Sequence, residues 1–346
     1  METQMTDGQK AQLEKQHYKT VGDHSAVKIC GWTKNSIRGE GTCYKQKFYN
    51  IQSHQCLQMT TSLYCASRCK FCWRGQKALV SKKWYGLINE PEKIIEDSLK
   101  AQSKLLNGFG GFSKIDKKIF KESGEVKHVA LSLTGESITY PKLNKLLDKF
   151  HEMKISTFLV TNAQFPEQIE KIKNLTQLYI SLDAPTQELL KKIDNPLFED
   201  YWERLQKSLE IMKTRKYRTC IRLTLIKNEN MLLFENYAEL IKKAEPDFVE
   251  LKSYMWVGSS QKYYKSENMP FMDEVRKFSK ELLEFLQDYE LIDEHEPSRV
   301  VLLMKKSLKK KQIINFNKFF ELVNSGKDYT TEDYSSCVNF KREGNN

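Results

Sequence analysis

Along the chain, short apolar runs of β type alternate with longer stretches in which apolar residues recur every three or four positions. The runs at 57–63, 128–133, 156–161, 178–182, 219–226 and 248–253 predict six strands. The stretches 91–106, 141–153, 166–172, 201–214 and 231–244 predict amphipathic helices between them. Pro91, Pro141 and Pro166 stand where helices start, because the missing N–H is one that no helical bond would use. Strand, helix and strand at this spacing predict βαβ units and a parallel sheet. Six units without a Gly-rich nucleotide fingerprint point to an α/β fold, a partial (β/α)6 TIM-like barrel. A helix over 272–289, a strand over 299–304 and a helix over 316–323 follow, and residues beyond 326 read as a tail. Upstream, residues 1–28 are polar and read as a loosely held lead-in. Residues 29–75 are cysteine-rich with few helical signals. The expected layout is an N-terminal extension over 1–56, a barrel over 57–305 and a basic C-terminal segment over 306–346.

Composition narrows the class. At 346 residues the chain can bury a core without disulfide staples. A hydrophobic share of 40% with 11% aromatics excludes a wholly disordered chain. No apolar run approaches the roughly 20 residues of a membrane span, and residues 1–19 lack the apolar core of a secretory signal. A cytoplasmic, thiol-reducing setting is therefore expected, with no membrane partner. The 56 Lys+Arg against 45 Asp+Glu leave a net charge of +11, which suggests an acidic partner, nucleic acid first. Solubility alone is the plainer account of that charge.

The cysteines change the picture more. Six of eight lie between positions 30 and 72, and Cys220 and Cys337 stand alone. Clustering in a reduced compartment favours metal or iron–sulfur ligation over disulfides. Cys65-Ala-Ser-Arg-Cys69-Lys-Phe-Cys72 places three thiolates in eight residues. They can hold three corners of a cubane cluster and leave one iron open. Zinc with a histidine is the alternative, but no histidine lies in the motif. The spacing resembles the signature of the radical S-adenosylmethionine (SAM) superfamily, in which the open iron takes the methionine end of SAM. Leu131-Ser-Leu-Thr134-Gly135-Glu136 resembles that family's Gly-Gly-Glu-Pro segment, which receives the SAM ammonium. Asn162, Ser181 and Asp183 end further strands, where they reach the barrel mouth or else cap the next helices.

Cys30, Cys43 and Cys56 are thirteen residues apart. They suggest a second cluster; three unrelated core cysteines are the alternative. Here the chain closely resembles the archaeal-type 4-demethylwyosine synthases of tRNA modification, which lack the flavodoxin-like domain of their eukaryotic relatives. The resemblance spans roughly 28–305. It rests on Cys-Leu-Gln-Met-Thr (56–60), Cys-Lys-Phe-Cys-Trp-Arg (69–74), Lys-His-Val-Ala-Leu-Ser-Leu (127–133) and Phe-Leu-Val-Thr-Asn-Ala-Gln-Phe-Pro (158–166). Gln-Leu-Tyr-Ile-Ser-Leu-Asp-Ala (177–184), Arg-Leu-Thr-Leu (222–225), Glu-Leu-Lys-Ser-Tyr-Met-Trp (250–256) and Asn-Met-Pro (268–270) extend it. Thr61 and Ser137 depart from it, each standing where the family usually has proline.

The resemblance implies a lyase that condenses 1-methylguanosine, beside the anticodon of tRNA-Phe, with two carbons of pyruvate to form a tricyclic base. It implies SAM, a 4Fe-4S cluster on Cys65, Cys69 and Cys72, and a second 4Fe-4S cluster on Cys30, Cys43 and Cys56. An external ferredoxin or flavodoxin would supply electrons, and a monomer is expected. Lys45, two residues after Cys43, is a candidate Schiff-base lysine or an electrostatic anchor for the pyruvate carboxylate, with Lys47 as its rival. Arg68, Lys70, Arg74, Lys77, Lys82 and Lys83, interleaved with Trp73 and Trp84, are candidate tRNA contacts. A second basic run covers Lys305, Lys306, Lys309, Lys310 and Lys311. Two other readings remain open: a two-cluster radical SAM enzyme acting on a peptide or small molecule, and a non-catalytic, metal-stabilised RNA-binding protein.

Overall fold

The chain enters through a helix, α1 (Asp7–Lys15), and a hairpin of two short strands, β1 (Lys19–Val21) and β2 (Ser25–Val27). The expected loose lead-in is thus replaced by sheet. β2 pairs antiparallel with the first barrel strand, β3 (Cys56–Thr60), through Ala26↔Thr60 and Val27↔Met59. Tyr18, Val21, Ala26 and Val27 are buried; so few apolar positions do not stand out in a polar background. Two short helices, α2 (Gly31–Ile37) and α3 (Tyr44–Tyr49), fill the cysteine-rich stretch, with Cys30 and Cys43 as their N-cap residues. The computed structural model describes residues 5–74, 79–111 and 115–338.

After β3 come β4 (His128–Leu131), β5 (Ser156–Thr161), β6 (Gln177–Ser181), β7 (Arg218–Leu225) and β8 (Phe248–Ser253). All six pair in parallel, in chain order. In β5 and β6 the first four positions are all buried, as strands covered on both faces require. The covering helices are α4 (Pro91–Asn107), α5 (Lys117–Glu122), α6 (Leu143–Glu152), α7 (Pro166–Lys171), α8 (Gln187–Asp194), α9 (Tyr201–Lys213) and α10 (Phe234–Ala244). α4 starts on Pro91 and buries Ile94, Ile95, Ala101 and Leu106 in one stripe; each of its buried Ile and Leu side chains stabilises the fold by about 1.5–3 kcal/mol. α8 has no counterpart in the sequence pattern: it is eight residues long, buries Leu190 and Ile193 and packs Leu189 partly against the core.

Beyond β8, α11 (Met272–Leu283) ends earlier than its pattern suggests, and the chain turns into a strand, β9 (Tyr289–His295). β10 (Val300–Lys305) lies between β8 and β9, antiparallel to both, with Val300–Met304 fully buried. The order β1-β2-β3-β4-β5-β6-β7-β8-β10-β9 leaves the outer strands unpaired with each other, so the barrel is partial as expected.

The C-terminal part, β11 (Ile313–Ile314), α12 (Phe316–Ser325) and β12 (Ser335–Ser336), is no tail as far as residue 338. The buried Tyr334 hydroxyl donates to the Thr176 carbonyl (3.0 Å) and accepts from the Arg218 amide (2.8 Å). Arg218, fully buried, donates to Gln177 Oε1 (3.1 Å) and the Gln312 carbonyl (2.7 Å), with its guanidinium 4.4 Å from the Phe248 ring. Gln177, Arg218 and Phe248 each begin a strand, so this polar plug closes the N-terminal end of the barrel. The opposite end stays open for chemistry. Among the described residues no helix is long and apolar enough to cross a membrane.

Candidate active site

The loop that follows β3 carries Cys65, Cys69 and Cys72. It is held along its length by α8 and the residues after it. The Arg68 amide donates to the Asp194 carbonyl (3.0 Å), the Lys70 amide to Ile193 (2.8 Å), and the Leu197 amide to Ala66 (2.8 Å). Cys65 also forms a parallel bridge with Val80. A cavity of about 230 Å³ opens above the strands, and all three cysteines line it. So do Thr134, Gly135, Glu136, Asn162, Ser181 and Asp183. The structure therefore brings every expected cofactor contact to one place, from the ends of β4, β5 and β6.

Local reasons fix these side chains. Gly135 has φ +68°, and a Cβ there would lie 1.9 Å from the Ser62 carbonyl oxygen. Only glycine lets this turn pass so close to the cysteine loop. The turn delivers Glu136 into a buried position, where burial pushes its carboxyl up to about 7. Glu136 Oε2 accepts from the Asn162 amide (3.2 Å), while Oε1 has no hydrogen-bond partner. Asn162 Nδ2 points to Cys65 Sγ (3.3 Å) and Ser67 Oγ (3.2 Å). The two departures from the family pattern meet here. Thr61 donates its amide to Ser137 Oγ (3.3 Å) and its hydroxyl to the Ser137 carbonyl (2.9 Å). A proline at 61 has no N–H to give, and a proline at 137 has no hydroxyl to receive it.

Asp183 is buried and accepts from the Thr224 amide (3.2 Å). Burial raises its carboxyl, and burial followed by the charge of Asp183 raises Asp194 well above the usual range. Sequence reasoning missed Asp194, Arg222 and Thr224 as site residues. Arg222 and Thr224 line the cavity; their signal was present as polar residues alternating inside the apolar run 219–226.

Below this cavity the lumen holds a second group. Cys30 and Cys43 cap α2 and α3, and Cys56 begins β3. Ser53 ties them together: it accepts the Cys43 amide at Oγ (2.9 Å), and its carbonyl accepts the Thr33 hydroxyl (2.9 Å). Burial, then the charge of Cys30, pushes the Cys43 thiol up to about 12; burial, Cys30 and Cys43 raise Cys56. The three thiols thus lie within each other's field. Lys45 Nζ stands 3.9 Å from the ring centroid of Tyr179, which shares the inward face of β6 with Ser181. Lys47 is engaged elsewhere, with Asp293 (2.7 Å) and the Glu294 carbonyl (2.6 Å). Glu250, fully buried, accepts the hydroxyls of Tyr44 (2.8 Å) and Tyr49 (2.9 Å).

The basic residues divide. Arg68, Lys82 and Lys83 are exposed and Lys70 is half-buried. Arg74 turns inward beside the thiols of Cys65 and Cys72 and donates to the Leu63 carbonyl (3.2 Å). Trp73 stacks on Tyr18 (5.9 Å, 13°), with Lys28 Nζ over both rings. Trp84 is half-buried and packs against His24, Tyr64 and Tyr140 in edge or tilted contacts. Lys77 lies outside the described residues. The run from Lys305 falls at the far end of the barrel, since Lys305 donates its amide to the Asp247 carbonyl just before β8. It does not extend the basic surface at the mouth.

The donor set fits an iron–sulfur cluster and SAM. Among the described residues no three cysteine, histidine or acidic side chains converge to hold a single metal ion. Zinc, with thiolates about 2.3 Å away, demands that convergence; a cubane gives each thiolate its own iron. Buried thiols raised in this way ionise readily only when a metal replaces the proton. The unpartnered Glu136 Oε1 is an acceptor in want of a donor such as an ammonium.

Comparison with known proteins agrees with this geometry. Residues 59–241 match the radical SAM superfamily, and residues 243–305 match a family described as wyosine base formation. The chain is 47% identical over 298 residues to a SAM-dependent tRNA 4-demethylwyosine synthase of Pyrococcus abyssi, covering 85% of this chain and 87% of that protein. It is 43% identical over 333 residues to the mouse protein of that name, covering 93% of this chain but 46% of the relative, so it spans less than half that protein's length. A solved structure of TYW1 with a lysine–pyruvate adduct bound superposes with a TM-score of 0.79 at 39% identity, covering 90% of this chain and 99% of that one.

Proposed function

The chain belongs to the tRNA 4-demethylwyosine synthase family of radical SAM enzymes, and from that premise we propose that it acts as a carbon–carbon lyase joining 1-methylguanosine of tRNA-Phe to two carbons of pyruvate. The observation that carries the reading is the gathering of Cys65, Cys69, Cys72, Glu136, Asn162 and Asp183 around one cavity, with Lys45 in the lumen below it. Cys65, Cys69 and Cys72 would hold the cluster, whose chemistry when reduced is to cleave SAM and start a radical reaction on the methylated base. Glu136 receives the SAM ammonium on its unpartnered oxygen. Asn162 steadies both Glu136 and Cys65. Ser181 and Asp183 meet the ribose or methionine end from the next strand.

Cys30, Cys43 and Cys56 would hold a second 4Fe-4S cluster facing pyruvate. Lys45 contacts pyruvate, and the adduct in the TYW1 structure supports a covalent lysine. Its neutral amine would add to the keto carbon and expel water, forming an imine. Arg68, Lys70, Lys82 and Lys83 bind tRNA phosphates, with Trp73 and Arg74 at the entrance where the extruded base arrives. An external ferredoxin or flavodoxin supplies the electron to a monomeric, cytoplasmic enzyme. The test is an anaerobic reaction with tRNA carrying 1-methylguanosine, SAM, pyruvate and reductant, read by nucleoside mass spectrometry. A tricyclic nucleoside that needs every component supports the reading. SAM cleavage without that nucleoside rejects it.

A further inference from the structure

The lumen contains a guanidinium that the reaction above leaves without a task. Arg222 lies on β7 and lines the cavity of the first triad. Across the sheet its register partner is Glu250, but both oxygens of that carboxylate are taken by Tyr44 and Tyr49. Asp183, the other acid in its field, is turned to the Thr224 amide. Among the described residues no carboxylate lies within 4.0 Å of the Arg222 guanidinium. It lies beside the Tyr44 hydroxyl, the residue between Cys43 and Lys45. Lys252, two positions along β8 from Glu250, adds a second cation whose Nζ reaches the Ser298 carbonyl (3.0 Å). Burial, and then repulsion from Arg222, pushes this lysine down to about 8. Two half-buried cations that repel each other, with no contacting carboxylate on Arg222 among the described residues, form a place that a small anion stabilises. Five N–H donors in a planar fork suit a carboxylate.

We propose that Arg222 binds the carboxylate of a small 2-oxo acid at the boundary between the two cysteine triads, so that its keto group faces the Lys45 side of the lumen. This rests on the reading above that such an acid is the second substrate. It assigns that substrate two distinct partners: a guanidinium for the charge and an amine for the carbonyl.

The experiment compares wild-type holoenzyme with Arg222→Gln and Arg222→Lys, using pyruvate and the uncharged methyl pyruvate. Two quantities are read: KM for each substrate, and the borohydride-trapped adduct by intact mass. The glutamine variant is expected to raise KM for pyruvate at least tenfold and to lower trapped adduct at fixed pyruvate by a similar factor. KM for SAM is expected to move less than twofold. Preference for pyruvate over methyl pyruvate is expected to collapse, which a merely structural loss would not cause. The lysine variant keeps charge without the fork and is expected to raise pyruvate KM severalfold; it carries the test should the glutamine variant fail to fold. An unchanged preference, or a raised KM for SAM alone, overturns the proposal. A wild-type enzyme indifferent to pyruvate overturns the functional reading and this one together.

Discussion

The first cysteine triad is contained in eight consecutive residues, whereas the second is assembled from the caps of α2 and α3 and the start of β3. In the first, local backbone brings the sulfurs together, and the fold adds the ends of β4, β5 and β6 around them. In the second, nothing local joins the cysteines. Ser53 links their helices, and the walls come from strands some two hundred residues away, through Tyr44 and Tyr49 on Glu250. The difference matches two tasks. A site that handles one fixed cofactor can be written into a short motif and a glycine turn. The second site, proposed to position a substrate beside cations, draws on the whole barrel.

The largest expected effects separate the triads outright. Replacing Cys65, Cys69 and Cys72 by alanine is expected to abolish 5′-deoxyadenosine formation. Replacing Cys30, Cys43 and Cys56 is expected to keep SAM cleavage and lose the tricyclic base. Iron analysis after anaerobic reconstitution would read about eight atoms in the parent and about four in either variant. Equal iron in parent and second-triad variant breaks the comparison. Next, Gly135→Ala forces a side chain onto the Ser62 carbonyl at a positive φ. It is expected to cost about 3 kcal/mol in unfolding free energy and to weaken SAM binding, measured by denaturant titration and calorimetry.

Tyr49→Phe tests the network of the second site. It strips one donor from the buried Glu250 carboxylate and is expected to cost about 1–3 kcal/mol, with pyruvate use impaired more than SAM binding. The pH dependence sharpens the first site. Glu136 is raised to about 7, so its carboxyl is largely protonated at pH 6 and ionised at pH 8. An ammonium needs the ionised form, so Kd for SAM is expected to fall about tenfold from pH 6 to 8. Glu136→Gln should flatten that profile. Stability has the opposite sign: the contribution from this raised carboxyl is full in acid and is lost as pH rises through about 7. The smallest effect distinguishes the two ends of the barrel. Neutralising Arg68, Lys82 or Lys83 is expected to reduce the log–log salt slope of tRNA binding by about 0.7–0.9 per phosphate contact. Neutralising Lys309 or Lys310 at the far end should leave it unchanged.

Much of the barrel was legible in the sequence because its parallel strands are covered on both faces and read as apolar runs. Glu136, Asn162 and Asp183, polar residues just past the apolar runs of β4, β5 and β6, line the cavity at the mouth. α8 escaped notice because eight residues, with only Leu189, Leu190 and Ile193 apolar, span too few turns to establish a period, yet its end holds the cysteine loop. β1 and β2 escaped because three-residue strands in a polar stretch have no period to detect. The segment after residue 326 looked like a tail because Tyr334 and Arg218 bury polar groups against each other, and such pairs leave no hydrophobic pattern.

By itself the sequence determined the fold class and the first cluster motif, because strand burial and chelate spacing are both local. Only the tertiary structure decided where each cation lies and which groups it faces. It turned Arg74 inward, tied Lys47 to Asp293, sent the Lys305 run to the far end, and left Arg222 beside the lumen with no contacting carboxylate among the described residues. A charge acquires its role from the groups it faces and the water it has lost, and neither is written in its neighbours along the chain.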